Sequence, residues 1–578
     1  MEYKNKTKIC QNCKKDFIIE LNDFSFYEKM KVPPPTFCPE CRMIRRMTWR
    51  NERFLYKREC DLCKKSIISI YKKQSPFIVY CHKCFRNDSW NPLDYGVDYD
   101  FTKPFFFQFN ELQKKVPRLY AMVTECVNSE YINGAAYNKN CYLIFASDHN
   151  EDSFYSHSIF YCKNVFECLG VRYSEFSAEC IDCEKISNCF YSQDCADSFN
   201  LYFCKNCIGC NDCIGSVNLR NKSYCIFNEQ HKKEDYLKKI KEMQLGSLNN
   251  FKNIMNRSLE FYLQFPVKYF HGKNNINSIG DYIIHSKNSF NIFDGEDVED
   301  SKYLYIVNKV KDSYDGYAVV ENVELNLEVI SHNSSFSKFC LSFWNGSYGT
   351  YSDTCENCTN VFGCIGLRNK QYCILNRQYT KEKYEKLIPE IIKHMEDMPY
   401  ADKNGVVYKF GEFFPTELSP FAYNETVAQE FFPLNKIEAL TKNNIWIEPE
   451  VKNYNVTIKS EQLLDNVNNI EDSICNEVIG CAHEGKCTDH CTIGFKVIKA
   501  ELDFYEKMQL PIPKLCPNCR HYARLAQRNP LKLWHRQCMC DKSHPQHAGK
   551  CPNEFETSYA PDRKEIIYCE QCYQAEVV

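Results

Sequence analysis

The chain carries nearly the same seventeen residues close to both of its ends. FYEKMKVPPPTFCPECR spans residues 26–42, FYEKMQLPIPKLCPNCR spans residues 504–520, and eleven of the seventeen positions are identical. Adding 478 to the number of Cys13, Cys38, Cys41 or Cys60 gives a cysteine of the second copy, and after ten inserted residues the match resumes. We therefore expect one module that is used twice.

Each copy holds two sets of paired Cys-x-x-Cys turns. Zinc favours tetrahedral thiolate coordination, and two such turns close one site with no open position, so structural rather than catalytic ions are expected. Cysteines that merely fill small cores are the alternative. About four zinc ions follow, and their predicted ligands are Cys10, Cys13, Cys38, Cys41, Cys60, Cys63, Cys81, Cys84, Cys487, Cys491, Cys516, Cys519, Cys538, Cys551, Cys569 and Cys572.

Two of these assignments depart from the pattern of the first copy. Cys487 pairs with Cys491 in a Cys-x3-Cys rather than a Cys-x2-Cys. Cys540 lies two residues beyond Cys538 and competes with it for the fourth site. The sequence leaves that choice open.

An arginine stripe follows the shared segment in both copies. Its members recur every four residues, which places them on one face of a helix, where like charges repel each other. They are Arg42, Arg46 and Arg50 in the first copy and Arg520, Arg524 and Arg528 in the second. The planar guanidinium suits phosphate, so we predict nucleic-acid or phosphate contact. Docking on the acidic middle of the chain, or exposure to solvent, is the alternative.

Cysteines also recur with a fixed period in the middle of the chain. Cys141, Cys162, Cys183, Cys204 and Cys225 are each 21 residues apart. The segments between them are short and aromatic, with Asn, Asp, Gly and Ser at the breaks, as is typical of strands and turns. Self-similarity of this kind predicts a β-solenoid, here with a 21-residue coil of about three short strands. Its cysteines are expected to be small buried hydrophobes, and whether they bind metal stays open.

A second repeat extends this pattern. LRNKSYCIFNEQ (residues 219–230) returns as LRNKQYCILNRQ (residues 367–378), and each leads into a charged amphipathic segment of helical period. We read these segments as capping helices and the acidic DGEDVEDS (residues 294–301) as a solvated loop.

The predicted fold is mainly β, a central β-solenoid with capping helices between two duplicated zinc-ribbon modules. The expected domains are 1–95 (two-site zinc-ribbon module), 96–227 (Cys-laddered solenoid), 228–265 (helical cap or spacer), 266–377 (second, degenerate solenoid), 378–470 (connector of helices and loops) and 471–578 (second two-site module).

Composition narrows the class of protein. The 578 residues include 37 cysteines, but the amino terminus has no apolar signal segment and no stretch approaches the length of a membrane span. We expect a cytoplasmic protein with reduced thiols and no membrane contact. Charge is uneven: residues 1–95 carry +9, residues 96–474 carry −13 and residues 475–578 carry +1, which gives the total of −3. A basic head on an acidic body favours an anionic partner or internal docking.

The motifs above, together with NPLDYGVDYDFTKPFFFQF (residues 91–109) and FFPTELSPFAYNETVAQEFFPL (residues 413–434), resemble large zinc-ribbon, Cys-repeat proteins predicted from genomes of candidate-phyla bacteria. The resemblance covers most of the chain. It implies the architecture described above and no particular activity.

Three classes of function remain. The first is a zinc-binding, non-enzymatic protein that contacts nucleic acid through its arginine stripes. The second is a protein-interaction scaffold whose stripes dock on its own body or on partners, and the third is a thiol redox or metal-handling protein. The sequence contains no His-Glu-x-x-His, Gly-x-Ser-x-Gly or Gly-Lys-Ser/Thr motif, so neither an enzyme nor a small-molecule substrate is expected.

Overall fold

Strands are the commonest element, and most of them lie in two long parallel ladders. The computed structural model describes residues 5–448 and 455–577. None of its described helices is long and apolar enough to cross a membrane.

The first end module consists of two successive units, each an antiparallel hairpin followed by a helix. Its elements are β1 (Lys6–Ile9), β2 (Asp16–Ile19), α1 (Leu21–Lys29), α2 (Pro39–Met47), β3 (Tyr56–Glu59), β4 (Ser66–Ser69), β5 (Val79–Tyr80) and α3 (His82–Arg86). Hairpin β1–β2 precedes α2, and hairpin β3–β4 precedes α3. Helix α4 (Phe105–Lys115) and β6 (Arg118–Leu119) then lead into the middle of the chain, with β6 pairing beside β5.

The first ladder runs from residue 123 to residue 226. Its strands are β7 (Val123–Thr124), β8 (Asn133–Ala136), β9 (Phe145–Asp148), β10 (Lys163–Phe166), β11 (Glu175–Ala178), β12 (Glu184–Ser187), β13 (Ala196–Tyr202), β14 (Asn211–Ile214) and β15 (Ser223–Ile226), with β16 (Glu229–Gln230) turning back on the last. Successive strands pair in parallel, and each residue lies opposite the one twelve positions further on, as Glu184 does with Ala196. The predicted 21-residue coil is therefore wrong as the unit of pairing.

A three-residue pattern explains this offset. From Glu125 to Phe227 nearly every third residue has a left-handed backbone with φ between about 45° and 70°, a conformation that few residues other than glycine adopt. The residue that follows each of them is buried: Tyr161 is exposed, whereas Cys162 is 3% exposed. Because 12 and 21 are both multiples of three, cysteines that recur every 21 residues all point inward, although their strands pair every twelve.

The interior of the first ladder is filled by small side chains. Cysteine, isoleucine and valine alternate with serine and asparagine. The polar members bond to the ladder itself, since Ser147 Oγ donates to the carbonyl of Phe145 and accepts from the amide of Ile159. The Cys162 thiol likewise donates to the carbonyls of Phe160 and Val171, each at 3.4 Å. Reduced cysteine thus fits the interior as a small residue with a satisfied S–H group.

The second ladder spans residues 272–374 and has longer strands. After α5 (Lys233–Met243), α6 (Leu248–Tyr262) and β17 (Pro266–Lys268), its strands are β18 (Gly272–Lys273), β19 (Ile279–Ile284), β20 (Phe290–Glu299), β21 (Lys302–Lys311), β22 (Tyr314–Val319), β23 (Val323–Glu324), β24 (Leu327–His332), β25 (Lys338–Leu341), β26 (Ser347–Thr350), β27 (Thr359–Phe362) and β28 (Gln371–Ile374), closed by β29 (Arg377–Gln378). Most of DGEDVEDS lies in β20 and the start of β21, so the prediction of a solvated acidic loop is wrong.

The remainder of the chain connects this ladder to the second end module. Its elements are α7 (Lys381–Asp397), β30 (Tyr400–Ala401), β31 (Val407–Tyr408), α8 (Val427–Phe431), α9 (Lys436–Thr441), β32 (Ile479–Gly480), β33 (Gly494–Phe495), α10 (Lys499–Met508), α11 (Pro517–Leu525), β34 (Trp534–Gln537), β35 (Glu554–Thr557), β36 (Ile566–Tyr568) and α12 (Glu570–Val577). We call β32 to α12 the second end module. Helices α5 and α7 each rest a buried tyrosine, Tyr236 or Tyr384, on a ring of the last strand of a ladder.

The end modules pack crosswise on the ladders. The first end module shares a core with the second ladder, where Phe26 stacks on Tyr314 with ring centroids 3.9 Å apart. The second end module shares a core with the first ladder, where Phe504 stacks on Phe166 at 4.0 Å. Each module therefore rests on the ladder that is more distant in sequence.

The close approach of β19 to β20 generates a prediction about Gly280. A Cβ at this position would lie 1.8 Å from the carbonyl oxygen of Ile292, where the pairing register shifts. Gly280→Ala should destabilise this edge of the second ladder by roughly 1–3 kcal/mol, because the backbone has to move. Faster hydrogen exchange in peptides covering residues 279–299 is the readout.

Gly246→Ala is the control for this substitution. At Gly246 the nearest atom lies 3.6 Å away, which is an ordinary contact. That variant should match the parent protein, and equal exchange in both variants would contradict the packing described here.

Candidate metal centres and arginine contacts

Four groups of four cysteines have sulfur atoms that all lie within 4.8 Å of one another. They are Cys10, Cys13, Cys38 and Cys41; Cys60, Cys63, Cys81 and Cys84; Cys481, Cys491, Cys516 and Cys519; and Cys538, Cys551, Cys569 and Cys572. A tetrahedral ion with 2.3 Å metal–sulfur bonds places its ligand sulfurs about 3.8 Å apart. Several pairs match, including Cys13 to Cys38 at 3.7 Å and Cys63 to Cys81 at 3.8 Å. These groups could hold metal ions and are compatible with zinc.

The local fold brings the sulfurs of the first group together. Cys10 and Cys13 lie in the turn of the β1–β2 hairpin, whereas Cys38 caps the start of α2 and Cys41 lies in its first turn. The backbone amide of Cys38 donates to Cys10 Sγ at 3.3 Å. Hydrogen bonds from the thiols of Cys38 and Cys41 hold the pKa of Cys10 far below its usual range. Such a site can release protons and accept a cation.

The third group differs from the sequence prediction by one ligand. Cys481 occupies the position of Cys10, because the amide of Cys516 donates to its sulfur at 3.3 Å, as that of Cys38 does to Cys10. Cys487, the predicted ligand, lies beside the group with its sulfur 3.6 Å from that of Cys519. Sequence spacing favoured Cys487 since it is close to Cys491, whereas the strand β32 delivers Cys481 from ten residues upstream.

The fourth group contains Cys538, and Cys540 belongs to a separate set. Cys540, His544, His547 and Cys572 also have ligand atoms within 4.8 Å of one another. The two sets share Cys572. The sequence analysis did not single out the two histidines, although Cys-x3-His-x2-His is a spacing that would have indicated them.

The first arginine stripe is buried in ion pairs with the body of the protein. Arg42 Nε and Arg46 Nη1 donate to the two carboxylate oxygens of Asp315 at 2.9 and 3.0 Å. Their neighbour Arg45 donates to Glu328 at 2.9 Å and to Glu412 at 2.8 Å. All three arginine side chains are 2% exposed. Burial would lower the pKa of Arg45, but the two glutamates raise it, so the guanidinium stays charged.

Arg50 continues this stripe beyond the end of α2. Its Nε donates to Glu52 at 2.7 Å, and it also contacts Ser331 of the second ladder. The side chain of Arg50 is 9% exposed. The whole first stripe is therefore engaged within the chain.

The second stripe makes corresponding contacts with the first ladder. Arg520 and Arg524 both contact Glu167, at 2.9 and 2.6 Å, and Arg524 also contacts Glu179 at 2.8 Å. Arg528 bridges Asp182 and Asp294, each at 2.8 Å. The six arginines predicted to contact phosphate are thus buried against carboxylates, which is the alternative that the sequence left open. In this arrangement their guanidinium groups do not face solvent.

The two docking interfaces are equivalent. Residues of the end modules are related by adding 478, and residues of the ladders by adding 148, so Arg520 and Glu167 correspond to Arg42 and Asp315. Phe26 on Tyr314 corresponds in the same way to Phe504 on Phe166. The second module repeats on the first ladder what the first module does on the second.

The spacing of charges on both partners explains why this contact works. Arginines four residues apart on a helix are separated by about 6 Å along its axis. Neighbouring strands are separated by about 4.8 Å, and Glu167 and Glu179 lie on adjacent strands because they are twelve residues apart. Two successive helical turns therefore face two successive carboxylates.

Most of the ladder cysteines have little thiolate character. Burial raises the pKa of Cys141, Cys162 and Cys189 to about 12. At neutral pH these thiols are protonated, and a protonated thiol is neither a nucleophile nor a metal ligand. None of the 37 cysteines forms a disulfide in the described residues.

A cavity of about 1350 Å³ lies between the first ladder, α6, the start of the second ladder and the second end module. Helix α6 contributes an apolar wall with Phe251, Met255 and Tyr262, and charged residues line the opposite side. Nothing in the sequence pattern indicated this space, because it forms only where distant segments meet.

The comparisons with known proteins do not extend this picture. No protein-family model matches the chain, and no curated protein matches it. Among solved structures, one described as a "putative acetyltransferase" from Desulfovibrio desulfuricans G20 is 9% identical and covers 49% of this chain and 85% of its own. The TM-score of 0.10 is too low to carry an argument.

Thiol reactivity should separate the ladder cysteines from the rest. A pKa of about 12 leaves roughly one thiol in ten thousand ionised at pH 8. Cys141, Cys162 and Cys189 should therefore stay unmodified by iodoacetamide in native buffer and react after denaturation, as measured by peptide mass spectrometry. Partly exposed Cys475, outside the four groups, is the internal control. Comparable labelling of the ladder cysteines and Cys475 would favour a thiol redox role instead.

Proposed function

We propose that this protein is a zinc-stabilised, non-enzymatic scaffold. Four zinc ions fold two zinc-ribbon modules, and each module clamps one of two β-solenoid rods formed by the parallel ladders. The reduced cysteines fit a cytoplasmic location. The large zinc-ribbon, Cys-repeat proteins that the motifs resemble would share this architecture.

The observation that carries this proposal is the equivalence of the two arginine interfaces. A stripe that served phosphate would be open to solvent in at least one copy. Here Arg42, Arg46, Arg520 and Arg524 are each 2–3% exposed and paired with carboxylates of the opposite ladder. The stripes therefore support assembly of the chain.

Zinc is the ion that the donor sets favour. Four thiolates in tetrahedral reach suit zinc or an iron–sulfur cluster, and the hairpin-plus-helix units are the size of zinc ribbons. Modules of this size bury little apolar surface, so the ion supplies much of their folding free energy.

A row of exposed rings is the surface such a scaffold could present. Tyr137, His149, Tyr161 and Tyr173 lie twelve residues apart on the first ladder, with successive centroids 4.7, 4.6 and 5.2 Å apart. Beside them Lys139, Glu151 and Lys163 alternate in sign. Nucleic acid favours aromatic platforms in a positively charged groove, so this mixed row fits a weakly charged extended chain better.

Metal removal tests the zinc sites. Native mass spectrometry of protein purified in reducing buffer should find at least four zinc ions per chain. Chelation should speed hydrogen exchange in both end modules and leave the ladder interiors protected, because only the modules depend on the ions. Cys10→Ser should lose one ion, whereas Cys475→Ser should lose none. Fewer than four ions in the parent, or iron in their place, would contradict the proposal.

Removal of a single carboxylate tests the docking. Asp315→Asn leaves Arg42 and Arg46 without their shared partner, and breaking a buried ion pair costs about 3–5 kcal/mol. Hydrogen exchange should rise in α2 and stay unchanged in α11. Glu167→Gln should have the reverse effect, because it removes the carboxylate that Arg520 and Arg524 share.

Glu324→Gln is the matched control, since Glu324 is exposed and lies on the same ladder as Asp315. Nucleic acid is tested on the same proteins by fluorescence anisotropy with duplex DNA and single-stranded RNA at low salt. Submicromolar, salt-dependent binding by the parent, with crosslinks in residues 39–50 or 517–528, would overturn the scaffold and restore the nucleic-acid function.

A further inference from the structure

The second end module contains a group of metal-type ligands beside its fourth four-cysteine group. Cys540 and Cys572 are 0% and 1% exposed, and the side chain of His544 is 8% exposed. His544 Nε2 lies 3.2 Å from Cys540 Sγ, and His547 Nε2 lies 3.1 Å from Cys572 Sγ. Sulfur and nitrogen ligands of one tetrahedral ion are separated by about 3.6 Å, so these atoms are within reach of a common ion.

The tautomer of His547 is set for metal binding. Its Nδ1 lies 2.8 Å from the carbonyl oxygen of Gly549, which can only accept a hydrogen bond, so Nδ1 carries the proton. Nε2 then presents its lone pair towards Cys572. Metal-binding histidines almost always donate their second ring nitrogen in this manner.

The backbone around the two histidines is also ordered. His544 and His547 exchange amide-to-carbonyl hydrogen bonds of 2.9 and 3.2 Å, which close a tight turn. Outside this turn, Glu576 Oε1 lies 3.5 Å from His544 Nε2 and its other oxygen contacts Lys542. The two imidazoles are therefore held on one side of the turn, facing the cysteines.

The comparison between the copies points to the same place. The second copy differs from the first by ten residues inserted between Cys538 and Cys551, and this insertion is where His544 and His547 lie. The position of Cys540 is Leu62 in the first copy. Three ligand-type residues thus occur together only in the copy that has the insertion.

We propose that Cys540, His544 and His547 bind an additional zinc ion, with the Cys572 thiolate bridging it to the ion of the fourth four-cysteine group. The inference rests on the proposed zinc-binding function. The shared sulfur makes this a two-metal cluster. An isolated four-thiolate zinc site has a formal charge of −2, and a second Zn²⁺ that brings one more thiolate and two neutral imidazoles changes it to −1, which lowers the cost of burial.

The test compares zinc content between the full-length parent and the double variant His544→Ala/His547→Ala. Native mass spectrometry should find five ions in the parent and four in the double variant. The matched control is His535→Ala, because His535 is exposed on β34 and contacts only glutamates; it should retain five. An unchanged count in the double variant overturns the additional site, whatever the total. A parent total below four counts instead against the proposed four-site modules.

Two further measurements cover a double variant that fails to fold. Zinc X-ray absorption of the parent needs no variant: imidazole scattering is expected, and a shell of sulfur alone overturns the site. In cobalt-substituted parent protein, two ions that share a thiolate should show magnetic coupling. Independent cobalt centres would overturn the bridging role of Cys572.

Discussion

The arrangement of this molecule depends on guanidinium groups buried against carboxylates at two places. Removing such charges from water is costly, and the cost is offset only when geometry and hydrogen bonding are nearly complete. Asp315 uses both oxygens for Arg42 and Arg46, and Glu167 is shared in the same way by Arg520 and Arg524. Each pairing fixes the register of a helix on a ladder, since a shift by one strand would leave both partners unpaired.

The metal centres and these ion pairs are mechanically linked. Cys38 caps α2, and Arg42 follows one turn later; Cys516 and Arg520 stand in the same relation on α11. An ion held by Cys38 and Cys41 would therefore fix the start of the helix and the direction in which its arginines point. Metal binding and docking act on the same nine-residue helix, so each is expected to strengthen the other.

The sequence predicted local features better than contacts between distant segments. The duplicated module, the pairs of cysteines and the helical arginine stripe follow from spacing alone, and the first, second and fourth groups contain the expected ligands. The third failed at Cys481 because a strand brings in a ligand that lies ten residues upstream. The strand offset of twelve was hidden because the columns of cysteine recur every 21 residues, and both numbers preserve the inward position.

The partners of the arginines could not be predicted from spacing, because they lie more than 250 residues away in the first copy and more than 330 in the second. Asp315 and Glu167 look like ordinary surface acids in the sequence, and only the left-handed backbone at Asp315 (φ 60°) and Glu167 (φ 53°) turns them outward onto the docking face. The excess of acid in residues 96–474 did indicate that the basic module could dock internally, but composition cannot rank that against an external phosphate.

The crosswise docking ties the chain together in a way that neither half could achieve alone. The first end module precedes the first ladder but rests on the second, and the second end module follows the second ladder but rests on the first. Separation of the ladders would therefore have to break an arginine interface or stretch a connection. Parallel pairing also joins β17 to β36, which fixes the last strand of the chain to the segment that precedes the second ladder. A duplicated chain that closes on itself in this way holds its ladders at a fixed distance, which is the property a scaffold requires.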